Sequence, residues 1–222
     1  MLYLPSYLYL NRHNNINNKY NYYLPNITWR VILKNIENFM KLLNKIFFIS
    51  TIVWMAIIFI FSHQTGAISQ DFSGGITEAI VKIIFKDFES LSHSEQINIL
   101  ETTNYIIRKG AHFTEYAILG MFTVLTLLTY ICMDKTRYAK NGTKNMLLLN
   151  SIYALLISAL YAVSDEIHQG FTADRSPAIL DVAIDSSGAL FGILFTITLF
   201  YFIFIKNILN QKETNIEKAE LI

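Results

Sequence analysis

Apolar positions between residues 46 and 205 come in four runs almost free of charge, over 46–62, 111–133, 146–163 and 176–205. Each is long enough for a helix to cross the roughly 30 Å hydrocarbon core of a bilayer. The pattern therefore predicts an all-α polytopic membrane protein of about four transmembrane helices. Ser176 and Pro177 suit the start of the fourth, as N-cap and first-turn residue. Within that helix Gly188 and Gly192 stand four apart, a small-residue pair that permits close approach of a neighbour.

Between the first two runs the chain alternates instead of staying apolar. Ile76, Ile80, Ile83, Ile84 and Phe88 are set against Glu78, Lys82, Lys86 and Asp87, which predicts an interfacial helical segment or a hairpin resting on the bundle. Ser92 and Glu95 have the spacing of a capping box, and the helix they open runs through Ile99, Ile106 and Ile107 towards Gly110. Residues 1–28, rich in Asn and Tyr and holding Pro5 and Pro25, show neither a helical stripe nor a long apolar run. Met40, followed by Lys41 and Lys45 and then apolar residues, resembles a natural start. The expected organisation is a poorly ordered extension over 1–39, a transmembrane domain over 40–206 and a charged tail over 207–222.

Composition agrees: 53% of residues are hydrophobic and only 16% charged, a balance that favours lipid over water as solvent. The net charge of +1 gives no reason to expect nucleic-acid binding. Cys132 is the single cysteine, so neither an internal disulfide nor a cysteine metal cluster can form. Basic residues are distributed unevenly. Six lie in 12–45, four in 134–145 and three from Lys206 onward, against four in 63–110 and Arg175 alone in 164–177. The positive-inside rule then predicts both termini in the cytoplasm, with an even number of crossings.

On that topology the polar groups gather at the outer face: Ser62, His63 and Gln64; Lys109, His112 and Glu115; Asp165, Glu166, His168 and Gln169; Arg175, Asp181 and Asp185. Ionisable groups at the rim of an apolar span are expensive unless paired or wet, which makes them functional candidates. Arg108, His112 and Glu115 follow an i, i+4, i+7 spacing and Lys109, His112 and Tyr116 an i, i+3, i+7 spacing, so one helix face is polar. Asp165 with His168 and Gln169, and Asp181 with Asp185, share faces in the same way.

The run Arg108-Lys109-Gly110-Ala111-His112-Phe113-Thr114-Glu115-Tyr116-Ala117-Ile118-Leu119-Gly120 resembles the VanZ-like membrane proteins. Ser164-Asp165-Glu166-Ile167-His168-Gln169, Arg175-Ser176, Asp181 to Asp185, Gly188, and Phe61-Ser62 with Gln64 extend the likeness over about 45–205. The resemblance implies a four-span bacterial cell-membrane protein whose founding member is associated with low-level resistance to teicoplanin. Enzyme names connected with phosphotransbutyrylase find no support, because no Gly-rich phosphate loop is present.

Two roles suit the polar groups. Lys109, His112 and Glu115 can bind an anionic envelope molecule, such as a lipid-linked precursor, or a glycopeptide; alternatively they tie helices together as a structural network. Asp165, Glu166 and His168 can perform acid/base work, with Gln64, Gln169, Arg175, Asp181 and Asp185 as binding residues. In a second functional reading, the chain is an enzyme on a phosphate-bearing lipid of the outer leaflet, with Lys109 and Arg175 holding phosphate and Glu166 or His168 moving a proton. No metal-ligand spacing such as HExxH occurs, and Lys109 and Arg175 would oppose a cation, so no metal or cofactor is expected. A transporter role ranks below these, for no inverted repeat is visible and the polar groups lie at one end.

Overall fold

The computed structural model describes residues 27–133, 135–173, 175, 177–200 and 202, with the backbone alone at 27–33, 66–68 and 131–144. It is all-α. Helix α1 spans Ile27–Ser62, α2 Gly66–Ile84, α3 His93–Met133, α4 Lys135–Gln169 and α5 Ile179–Phe200, with a short 3-10 turn at Phe88–Ser90. Four of these are long and apolar enough to cross a membrane, over Lys34–Ser62, His93–Tyr130, Asn145–Gln169 and Ile179–Phe200. The protein is a multi-pass membrane protein.

Its surface is inverted relative to a soluble bundle. Ile46, Phe48, Ile49, Ile52 and Ile60 of α1, Leu156 and Leu160 of α4, and Phe191, Leu194 and Phe195 of α5 are all exposed. In lipid these side chains need no burial, so the seams between helices are built from small and polar residues instead. Gly188 and Gly192 confirm the point. A Cβ at Gly188 would collide with the Phe113 carbonyl and one at Gly192 with that of Ala117, while a Cβ at Gly120 would strike the Ala189 carbonyl. Glycine here lets the α3 and α5 backbones touch. Below this contact Val124, Ala154 and Ile193 form one buried cluster; Ile58, Tyr116, Leu119, Ala162 and Ala189 form another, bordered by Trp54, Met55 and Tyr161. Small hydroxyls bridge α1 to α3, with Thr51 Oγ1 and Thr126 Oγ1 3.1 Å apart and Asn44 Nδ2 donating to the Thr126 carbonyl at 2.9 Å.

Helix α1 starts at Ile27, well before the expected first span, and so takes in residues 27–39 of the expected extension. Residues 1–26 and the tail from 203 lie outside the described residues, as does Ser176. The segment between the first two spans folds as an antiparallel helical hairpin, in which α2 packs along the first half of α3. Thr77 Oγ1 reaches Asn104 Oδ1 at 3.3 Å and Gln96 Nε2 donates to the Phe88 carbonyl at 3.1 Å. Phe72, Ile76, Ile83 and Ile84 point away from that seam, an apolar face suited to a membrane interface. Glu95 Oε2 accepts the Ser92 N–H at 3.0 Å, the carboxylate half of a capping box, and also takes the Ser92 hydroxyl at 2.6 Å. From there α3 continues through Gly110 as one helix of 41 residues, without the boundary expected at that glycine.

Candidate functional site

The polar residues meet where α1 and α4 end, α5 begins and α3 passes between them. Ser62, the last residue of α1, donates to Asp165 Oδ2 at 2.7 Å. Gln169, one turn along α4 from Asp165, donates to the same oxygen at 3.1 Å. Its Oε1 accepts from Arg175 at 3.0 Å, which draws the loop after α4 over the site. Glu166 faces the other way around α4 and accepts the Ala178 N–H at 2.9 Å. A carboxylate thus satisfies an exposed donor at the entrance of α5, where the helix dipole favours negative charge. Pro177 closes the turn against Gly170, where a Cβ would lie 3.1 Å from the proline ring.

Helix α3 supplies the opposite wall. Lys109 forms an ion pair with Asp181 in the first turn of α5. One turn on, His112 Nδ1 lies 3.8 Å from Glu115 Oε2, beyond hydrogen-bond reach. The Glu115 main chain is held from α1 by the Trp54 indole, which donates to its carbonyl at 2.8 Å. Tyr161 ties α4 to α1 by donating to the Met55 carbonyl at 2.6 Å. Asp185, fully buried on α5, is under the charges of Asp165, Glu166, Asp181 and Glu115. Arg175 lies in the field of Asp165, Glu166 and Glu115, while burial, followed by the neighbouring Arg108 charge, lowers its pKa from the usual arginine value.

Many of these groups are left without partners. Among the described residues, no hydrogen bond reaches His112 Nδ1, Tyr116 OH, Asp165 Oδ1, Glu166 Oε1, Arg175 Nε or either oxygen of Asp185. Asp165, Glu166 and Asp185 are at most 4% exposed. A buried polar atom with no partner costs about 1–3 kcal/mol, and charged ones cost more. A network that served only to join helices would have little reason to leave so many open.

Of the expected site residues, Lys109, His112, Glu115, Asp165, Glu166, Gln169, Arg175, Asp181 and Asp185 come together here. His168 does not. It points along the α1–α4 rim, stacks on Phe59 with ring centroids 4.5 Å apart, and meets His63 with Nδ1 to Nε2 at 3.2 Å. Gln64 lies past the end of α1, half-buried, and among the described residues its side chain makes no hydrogen bond to the cluster. The Ser62 hydroxyl, one of the outer-face polar groups, and the Tyr116 phenol join the cluster without a binding or catalytic role assigned by the sequence pattern. Tyr116 was already visible as the i+4 partner of His112.

A family profile described as VanZ/LLP1 matches residues 47–214. The chain belongs to the VanZ/LLP1 family. The matched stretch of this VanZ/LLP1 protein contains every residue of the cluster. No curated protein and no solved structure matches it.

Proposed function

We propose that this VanZ/LLP1 protein holds the polar part of an outer-surface envelope component in the cluster, and thereby contributes to tolerance of glycopeptides such as teicoplanin. The observation that carries the reading is the set of buried, unpartnered atoms on Asp165, Glu166, Asp185, Arg175 and Tyr116. They are arranged as a site that a ligand completes. The bias of basic residues towards 12–45, 134–145 and the tail supports an orientation with both termini cytoplasmic and the cluster at the outer leaflet.

The test is to express the chain in a teicoplanin-susceptible bacterium and compare it with Glu166→Gln, Asp165→Asn and Arg175→Lys at matched protein level. The variants are expected to lose the tolerance that the parent confers. Tolerance retained in all three, or absent with the parent, overturns the reading. Orientation is tested in a Cys132→Ser background with an impermeant thiol reagent on intact cells. Phe171→Cys, 86% exposed at the cluster end, should label while Lys140→Cys should not.

A membrane enzyme acting on a phosphate-bearing lipid is the second reading. It is favoured by the unpartnered Arg175 Nε and Glu166 Oε1, the Glu166 charge acting on Arg175. Lys109 is already engaged by Asp181 and His168 points elsewhere, which leaves Arg175 to hold phosphate and Glu166 to move a proton. Release of inorganic phosphate from polyprenyl phosphate by the purified protein, lost in Glu166→Gln, supports this reading; no release rejects it.

A further inference from the structure

The geometry points to an ammonium group as what the cluster takes, with Asp185 as its counter-ion. This rests on the reading of the cluster as a ligand site. Five carboxylates, those of Glu115, Asp165, Glu166, Asp181 and Asp185, share this region with three fixed cations, Lys109, Arg175 and its neighbour Arg108, and with His112. Lys109 is committed to Asp181. Arg175 spends one donor on the neutral Gln169 carbonyl and retains Nε. Carboxyl groups and hydrogen-bond acceptors are therefore both in excess around Asp185, whose charged neighbours Asp165, Glu166, Asp181 and Glu115 are all acidic.

The unpartnered atoms point the same way. Four are carboxylate oxygens: Asp165 Oδ1, Glu166 Oε1 and both oxygens of Asp185. A phosphate or carboxylate ligand would bring more acceptors and more negative charge into a place that already has too much of each. An ammonium brings three donors and one positive charge. Aromatic surface is also at hand. Tyr116, fully buried, feels the Asp185 charge and lies 6.3 Å from Tyr161 between ring centroids, so a cation beside Asp185 also has the Tyr116 ring nearby. No three His, Cys, Asp or Glu side chains among the described residues are placed to hold a metal ion. The arrangement suits a cation that hydrogen-bonds rather than one that is coordinated.

The test uses the full-length protein in detergent, with its unfolding midpoint measured against hexylammonium and against hexan-1-ol, a neutral molecule of equal length. At ten-fold excess over its dissociation constant the amine should raise the midpoint by about 3 °C. The alcohol should not, and Asp185→Asn should abolish the response, with Asp165→Asn as the second variant if the first fails to accumulate. A parallel measurement in nanodiscs compares phosphatidylethanolamine with phosphatidylglycerol. Stabilisation by the ethanolamine lipid alone assigns the ammonium to a lipid headgroup, and stabilisation by hexylammonium as well assigns it to amines in general. Equal responses to amine and alcohol overturn the inference. If polyprenyl phosphate raises the midpoint in an Asp185-dependent way and amines do not, the ammonium assignment falls while the ligand site stands. If no probe shifts the midpoint and Asp185→Asn is more stable than the parent, both fall.

Discussion

Replacing Gly192 by alanine tests whether the α3–α5 seam is set by backbone contact. A Cβ there would collide with the Ala117 carbonyl oxygen and lie 2.7 Å from its carbon and 3.0 Å from its Cα. Non-bonded carbons rest about 3.5–4.0 Å apart, so the helices must separate by about 1 Å to admit the methyl. No rotamer change relieves a clash with backbone, which places the cost at the upper end of the overpacking range, about 3 kcal/mol. Alanine also gains about 1 kcal/mol over glycine in helix propensity, leaving a net loss of about 2 kcal/mol. Gly110 on α3 is the control, because a Cβ there meets nothing within 4 Å. Gly110→Ala keeps the propensity gain and should stabilise by about 1 kcal/mol, so the two variants should differ by about 3 kcal/mol. Reversible unfolding in mixed micelles of increasing SDS content measures that difference. Equal unfolding midpoints for the two alanine variants would refute the argument.

Four further outcomes are expected. Ser62→Ala leaves Asp165 Oδ2 with Gln169 as its remaining donor, and should cost about 1–2 kcal/mol in the same unfolding assay. A double-mutant cycle of Lys109→Met and Asp181→Asn should return a coupling of about 1–2 kcal/mol for their partly buried ion pair; a value near zero would mean that the pair is solvent-screened. Glu95→Ala removes the acceptor of the Ser92 N–H, and should raise amide exchange in the first turn of α3 while leaving the spans protected. His168→Ala should leave glycopeptide tolerance unchanged, since that ring stacks on Phe59 outside the cluster; loss of tolerance at normal protein level would place His168 in the machinery after all.

The four spans were legible because lipid forces each crossing segment to be apolar along its whole length, a constraint that composition cannot hide. Gly188 and Gly192 were legible for a related reason, since only small residues let membrane helices touch. The cluster was legible as membership but not as geometry. Spacing along α3 placed Lys109, His112, Glu115 and Tyr116 on a common side, yet nothing in it could say that Asp181 would be the partner of Lys109, 72 residues away. Along α4, both His168 and Gln169 stand within a turn of Asp165, and that spacing alone does not choose between them. Neighbouring positions on a helix diverge by about 100°, and once α1 supplies Ser62 to Asp165 the inward face takes Gln169 and turns His168 to the rim. Gly110 misled for the opposite reason. Glycine weakens a helix only modestly, and the Thr114 hydroxyl, donating to the Gly110 carbonyl at 2.7 Å, follows an unbroken turn there.

Helix α3, 41 residues without a break, is a rod of about 60 Å, twice the thickness of the hydrocarbon it crosses. Its first half belongs to the hairpin, and its middle carries Lys109, His112, Glu115 and Tyr116. No loop or helix break separates the hairpin, with its exposed Phe72 and Ile83, from the residues of the cluster on α3. Gly188 and Gly192 seat α5 directly on this rod, and the Lys109–Asp181 ion pair joins the same two helices. The hairpin and the polar site are thus two stations on one continuous helix.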